Sequence, residues 1–185
     1  MKPKTTLLLI AAVCVVPALG AYLSYHYLPP DGSVNYGELI EPRELPTGHL
    51  RKLDGSDFSI EQLRGQWVMV LAESGACSAE CEENLYFMRQ VRKAQGEKQT
   101  RLERVWLLTD DAQPDARVQE AIAGTHIVRA AGSALLADLP AASAGGTRFF
   151  LVDPFGKAMM RYNGRIDPKR MIADLTRLLK YQSAG

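Results

Sequence analysis

An apolar run without alternation constrains the fold of this chain more than any other feature. It comprises residues 67–72, Trp-Val-Met-Val-Leu-Ala, within a sequence of 185 residues. A strand that shows no polar face is covered on both sides by other elements, as in the sheet of an α/β protein. The run therefore predicts the central strand of a sheet that lies between layers of helices.

Two cysteines follow this strand at the point where a helix is expected to begin. Cys77 and Cys81 lie in Glu-Ser-Gly-Ala-Cys-Ser-Ala-Glu-Cys-Glu, and Leu85 and Met88 continue the stripe of Cys81 along a helix predicted over 78–94. One helical turn apart, the two cysteines face the same side, Cys77 nearer solvent and Cys81 nearer the core. Backbone N–H groups and the helix dipole favour thiolate at such a position. Because thiolates attack disulfides and bind soft metals, this pair is the candidate site.

The first 28 residues are expected to anchor the chain in a membrane. Lys2 and Lys4 precede the stretch 5–28, which has no Asp, Glu, Lys or Arg and is long enough to span a bilayer. The segment after it lacks a cationic excess, which places the N-terminus inside and the globular part outside. The alternative is a cleaved signal peptide, with Ala18-Leu19-Gly20 as the cleavage site. In both cases the rest of the chain is exported.

The remainder of the chain predicts a tether and one domain. Prolines and glycine in 29–46 indicate a stiff tether, and 47–182 suffices for a single core. The chain has 22 Lys and Arg residues and 21 Asp and Glu residues. Its net charge is therefore too small to attract nucleic acid strongly, and no nucleic-acid partner is expected. Cys14 lies in the anchor and is interpreted as an apolar residue there.

Later segments predict the other elements of this domain from turn residues and hydrophobic periodicity. They are a hairpin over 50–58, a helical turn over 59–63, a buried strand over 104–109, a helix ended by Gly124, a strand over 126–129, a helix over 133–139, a hairpin from 147–152 and 157–162, and a helix from Pro168. This order is typical of a three-layer α/β fold with parallel strands early and antiparallel strands late.

These elements resemble the thioredoxin superfamily and, more closely, the Sco/SenC family of membrane-anchored proteins that assist copper assembly in cytochrome c oxidase. The segments that carry the resemblance are 53–65, 67–72, the Cys77–Cys81 motif and 149–156. The resemblance implies a thioredoxin-like fold with a central mixed sheet, exposed in the periplasm on a single-pass anchor in the cytoplasmic membrane. It also implies that Cys77 and Cys81 act in thiol–disulfide exchange or bind Cu(I). The implied partner is a cytochrome c oxidase subunit or another assembly factor.

The chain departs from the family pattern at the copper site. Glu82 follows the second cysteine where family members usually have proline, and 144–148 contains no His where the family places a third copper ligand. The same stretch lacks the proline that ordinary thioredoxins carry there. Two thiolates still suit Cu(I), which accepts soft ligands at low coordination, whereas Cu(II) loses its imidazole.

Four acidic residues stand close to the cysteines in the sequence. Glu73, Glu80, Glu82 and Glu83 bring like charge, which disfavours thiolate and opposes the helix dipole. We therefore expect thiols less acidic than those of a dedicated oxidoreductase. His49 and His126 share no metal spacing with another ligand type and are interpreted as surface or structural residues.

Three functions are compatible with the sequence. The first is an accessory factor in oxidase maturation, in which Cys77 attacks a client disulfide or provides the first metal thiol and Cys81 resolves or provides the second. The second is a non-catalytic binding module whose disulfide stays closed, since export to an oxidising compartment favours a bridge. The third, a membrane-tethered peroxidase, is disfavoured because residues 74–76 lack the Thr or Ser and Arg pattern around a reactive cysteine.

Overall fold

The computed structural model describes residues 3–27, 35–139, 148–163 and 165–181. The chain divides into two units, Met1–Val34 and Asn35–Gly185. The first unit contains helix α1, Pro3–Tyr27, with Pro17 inside it and the free thiol of Cys14 exposed on it. Among the described residues, none of the helices combines the length and the apolar content needed to cross a membrane. The membrane anchor expected from the sequence stays a prediction.

The second unit is built on one sheet, which has eight strands among the described residues. The strands are β1 Glu38–Glu44, β2 Leu50–Lys52, β3 Asp57–Phe58, β4 Trp67–Glu73, β5 Leu102–Leu108, β6 His126–Arg129, β7 Arg148–Val152 and β8 Lys157–Tyr162. Their order across the sheet is β1-β8-β7-β4-β5-β6-β2-β3. β4 pairs with β5 and β5 with β6 in parallel, while the other neighbours are antiparallel. This is the mixed sheet that the sequence predicts.

Helices cover both faces of the sheet. They are α2 Ala79–Ala94, α3 Ala116–Ala121, α4 Ala134–Asp138 and α5 Pro168–Tyr181, with short 3-10 helices at Ile60–Leu63 and Gly96–Arg101. Buried residues of α2, α3 and α5 belong to the core on one face, and those of α4 and the first 3-10 helix to the core on the other. The three-layer α/β arrangement is therefore confirmed.

Strand β4 is the centre of this arrangement because its side chains enter both cores. Residues 67–72 are all buried. Trp67, Met69 and Leu71 lie in the core beneath α2, whereas the alternate residues between them lie in the opposite core. The apolar run thus has the role that its lack of alternation predicts.

Strand β1 corrects one prediction. The sequence places 38–44 in the tether, but these residues pair antiparallel with β8, and Glu38 lies opposite Arg161. The two side chains form two hydrogen bonds, 2.8 Å from Nε and 2.7 Å from Nη2 of the arginine. Because β1 lies at the sheet edge and is exposed along nearly its whole length, its sequence shows no alternation. The sheet therefore begins before Thr47, the predicted boundary.

The segment before β1 is fixed to helix α5. The buried carboxylate of Asp174 accepts the backbone N–H groups of Tyr36 and Gly37, each at 2.9 Å. The Tyr36 hydroxyl donates to the carbonyl of Arg165 at 3.2 Å and accepts the N–H of Asp167 at 2.9 Å. The start of the sheet and the loop that leads into α5 are thus tied together.

Candidate functional site

Cys77 and Cys81 form a disulfide at the carboxyl end of β4, with their Cα atoms 5.2 Å apart. Helix α2 begins at Ala79, and Ser78 is its N-cap, with a side chain that accepts the N–H of Cys81 at 3.3 Å. Cys77 is half-exposed, whereas Cys81 is only 2 % exposed and packs in the core beneath α2. The order expected from the sequence, with Cys77 nearer solvent and Cys81 nearer the core, is the one observed.

The backbone around Cys77 differs from that of a simple helix start. Cys77 has a φ of 38°, in the left-handed region that non-glycine residues rarely occupy. The helix therefore begins after this residue, at Ala79, and Cys77 stands just outside the positive end of the dipole. Once the disulfide is reduced, that position favours a thiolate on Cys77, because the first N–H groups of a helix have no partner within it.

Two of the four nearby glutamates are in ion pairs, which the sequence does not predict. Glu82 accepts from Arg117 of α3 at 3.0 Å, and Glu83 accepts from Arg165 at 2.8 Å. Both arginines are largely exposed, so each pair contributes little to stability. Each pair nevertheless places a cation beside the acidic first turn of α2. The like charge expected around the thiols is therefore partly compensated.

Glu73 is the glutamate whose environment opposes its charge. It ends strand β4 four residues before Cys77 and is half-buried. Burial raises the pKa of its carboxyl group, and the negative charge of Glu80 on α2 raises it further. A hydrogen bond from the Ser74 backbone and the charge of Arg148 act in the opposite direction but are smaller. The charge of Glu80 therefore acts on the Glu73 carboxyl group at the base of the cysteine loop.

Replacing Glu73 by Gln is expected to stabilise the protein at neutral pH and not in acid. Because the pKa is raised in the folded state, the native protein holds this proton to higher pH than the unfolded chain, and stability falls as the pH rises through that interval. Urea unfolding of both proteins at about pH 7 and about pH 3.5, below the ordinary glutamate value, measures the difference. Glu120→Gln on the exposed surface serves as the control. An equal gain at both pH values contradicts the prediction.

Asp110 is a site residue that sequence reasoning missed. It follows β5, the parallel neighbour of β4, and its carboxylate accepts the N–H of Gly75 at 2.9 Å. The signal was present in the sequence, because the carboxyl ends of adjacent parallel strands meet at one edge of a sheet. Arg117 and Arg165 were missed for a different reason: they approach α2 from distant parts of the chain, and no local pattern indicates that.

The other ligand candidates do not join the cysteines. Among the residues that the structure describes, no group of three or more His, Cys, Asp or Glu side chains is placed to hold a metal ion. His49 is exposed, and His126 lies 3.6 Å from a carboxylate oxygen of Glu103. Residues 144–147, where the family pattern has its copper histidine, lie outside the described residues. The two sulfurs that the structure brings together at the site suit two-coordinate Cu(I) when the pair is reduced.

Comparison with protein families decides which family the domain represents. A family model described as transmembrane-like, thioredoxin-like, C-terminal domain matches residues 67–182. The chain belongs to this family. The match begins at β4 and takes in the cysteine pair, both late strands and α5. No curated protein matches the chain.

Solved structures show the same fold at low sequence identity. BsSco, a member of the Sco family of cytochrome c oxidase assembly proteins with a disulfide switch, is 16 % identical over 77 % of this chain and 94 % of its own, with a TM-score of 0.58. Yeast Sco1 with copper bound is 14 % identical over 75 % and 90 %, with a TM-score of 0.58. The thioredoxin domain of the thiol-disulfide oxidoreductase BVU-2223 from Bacteroides vulgatus is 15 % identical over 76 % and 99 %, with a TM-score of 0.53. The thioredoxin-like fold and the resemblance to Sco structures are therefore confirmed.

Proposed function

We propose that this protein exchanges disulfides with a client protein through Cys77 and Cys81, as an accessory factor in the assembly of cytochrome c oxidase. The observation that carries the proposal is the unequal burial of the pair, half-exposed at Cys77 and 2 % exposed at Cys81. A cysteine sulfur that reaches solvent at a helix start can attack a disulfide of another protein. The buried cysteine beside it can then attack the mixed disulfide and release the other protein.

The reaction begins with the pair reduced by an external dithiol. The Cys77 thiolate attacks one sulfur of a client disulfide, so that a Cys77–client bond forms, the client bond breaks, and the released client thiolate takes up a proton. The Cys81 thiolate then attacks the Cys77 sulfur, which closes the Cys77–Cys81 bond and releases the second client thiol. Two electrons pass from the pair to the client, and the disulfide seen in the structure is the product state.

The place of this reaction is part of the proposal. The charge-free stretch 5–28 behind Lys2 and Lys4 supports a single-pass anchor in the cytoplasmic membrane, with the N-terminus inside and the domain in the periplasm. A disulfide between Cys77 and Cys81 suits an oxidising compartment. The fold shared with a Sco-family assembly protein supports an oxidase subunit, or another assembly factor, as the client.

Transfer of Cu(I) is the second candidate, favoured by the fold shared with copper-bound yeast Sco1. In this case copper is the cargo, and the reduced sulfurs of Cys77 and Cys81 hold it. Two soft donors suit Cu(I), but among the described residues no His, Cys, Asp or Glu side chain completes a group of three with them. We therefore expect exchange to be the principal activity and Cu(I) binding to be weak.

The test measures exchange directly in full-length protein that carries Cys14→Ser, which removes the exposed third thiol. The reduced protein is mixed with oxidised glutathione, and free thiols are counted over time. We expect loss of both thiols through a Cys77–Cys81 disulfide, and no fast reaction in Cys77→Ser. A disulfide that dithiothreitol cannot open without denaturant indicates the non-catalytic module instead. Stoichiometric Cu(I) binding against a competing chelator, lost in Cys77→Ser and without fast exchange, indicates copper transfer.

A further inference from the structure

The loop between β4 and α2 presents Cys77 on a backbone whose N–H groups are already bonded within the protein. The N–H of Gly75 donates to Asp110, that of Ala76 to the Ser74 hydroxyl at 3.0 Å, and that of Cys77 to the Ser74 carbonyl at 3.2 Å. Three successive N–H groups are thus fixed by only two residues. These bonds hold the base of the loop, and Cys77 stands at the end of it.

Asp110 is the acceptor on which this arrangement depends. One carboxylate oxygen, Oδ1, accepts from Gly75 at 2.9 Å and from the N–H of Ala112 at 3.2 Å. A hydrogen bond with the Ser74 side chain is the largest cause that lowers the pKa of this carboxyl group, followed by the bond from Gly75. Asp110 is therefore ionised at neutral pH, and bonds to a charged acceptor are stronger than neutral ones.

Close packing also holds Gly75 against the turn that contains Asp110. Gly75 lies against the backbone carbonyl of Ala112, and a Cβ atom at position 75 would collide with that oxygen. The N–H of Thr109 donates to the carbonyl of Glu73 at 3.1 Å, which extends the pairing of β4 and β5 to the foot of the loop. The loop and the turn over 110–112 are therefore joined by both packing and hydrogen bonds.

We infer that Asp110 is a positioning residue that holds the Cys77 loop in the geometry in which the Cys77 and Cys81 sulfurs meet. Cys81 is held by other contacts: its side chain is buried on the inner face of α2, and its N–H donates to the Ser78 side chain. The relative position of the two sulfurs then depends on how firmly the loop holds Cys77 in its left-handed conformation. Loss of the Asp110 acceptor frees the loop and lowers the effective concentration of one thiol at the other. This inference deepens the proposed exchange function and rests on it for its biological role.

The experiment measures the equilibrium between the dithiol and the disulfide in glutathione buffers, with full-length protein carrying Cys14→Ser. Asp110→Ala is expected to shift the equilibrium toward the dithiol by about tenfold, because a charged acceptor of several hydrogen bonds is lost. Asp110→Asn keeps one amide oxygen in place of the carboxylate and is expected to give a smaller shift. Asp111→Ala, at the exposed neighbouring position, is the matched control and is expected to behave as the parent.

The outcomes separate this inference from the proposed function. If Asp110→Ala or Asp110→Asn is folded, by the melting temperature and circular dichroism, and has the equilibrium of the Asp111→Ala control, the inference is wrong. If Asp110→Ala does not fold, the same assay is carried out with Asp110→Asn and Ser74→Ala, and a shift toward the dithiol in either variant supports the inference. Ser74→Ala is informative because it removes the hydroxyl that is hydrogen-bonded to the Ala76 N–H and to Asp110. If the parent does not react with a client disulfide but the variants shift the equilibrium, the proposed function fails and the positioning role stands.

Discussion

Cys81→Ser is expected to convert the protein into one that accumulates a mixed disulfide at Cys77. In the parent, Cys81 lies beside Cys77 and resolves the mixed disulfide intramolecularly, with the advantage of a high effective concentration. Without it, release needs a second thiol from solution. We expect the adduct with glutathione to persist at least about a hundredfold longer than in the parent. Intact-protein mass spectrometry after acid quenching measures this lifetime.

The reverse variant is the matched control. In Cys77→Ser the remaining cysteine is Cys81, which is 2 % exposed in the disulfide-bonded structure, so we expect oxidised glutathione to have little access to it. We therefore expect slow adduct formation in Cys77→Ser and fast formation in Cys81→Ser. Equal rates in the two variants, or faster reaction in Cys77→Ser, would show that Cys81 is the attacking sulfur or that burial does not control access. Both variants carry Cys14→Ser, so that the adduct has a single position.

The parts of the fold that could be predicted are those in which one segment determines its own structure. A pattern only a few residues long was enough to predict burial in two elements. These are the apolar run of β4 and the stripe of Cys81, Leu85 and Met88 on α2, all of which are buried. The final helix begins at Pro168, as predicted, with Met171, Leu175 and Leu179 buried. For the two helices, the hydrophobic period alone specifies which face meets the sheet. The same reasoning placed Cys77 and Cys81 correctly relative to solvent.

The parts that could not be predicted depend on contacts between distant segments. Strand β1 is mostly exposed and contains Pro42, so only its pairing with β8 identifies it as a strand. The ion pairs of Glu82 and Glu83 reach arginines 35 and 82 residues away in sequence. A count of acidic residues near the cysteines therefore overstated the negative charge at the site. The sign of a local field depends on such partners, which sequence spacing does not reveal.

Asp174 illustrates this dependence, and its replacement by Ala is expected to lower the free energy of unfolding by about 3 kcal/mol. Its carboxylate, 1 % exposed, accepts the N–H groups of Tyr36 and Gly37 from 137 or more residues away, and the variant leaves both without an acceptor. Gly37 cannot move aside easily, because it packs closely against Met160. The loss therefore includes the cost of two unpaired N–H groups at the start of the sheet. Urea denaturation measures it.

Arg177→Ala is the matched control for this variant. The Arg177 guanidinium lies 3.5 Å from Asp174 and its side chain is 44 % exposed, so its removal is expected to cost below about 1 kcal/mol. Asp174→Asn retains one oxygen acceptor and is expected to lie between the two. If Asp174→Ala proves no less stable than Arg177→Ala, the N–H groups of Tyr36 and Gly37 have found other acceptors, and the start of β1 does not depend on α5. If the expected order holds, the stability of the domain depends on the two hydrogen bonds that the buried Asp174 carboxylate accepts at the start of the sheet.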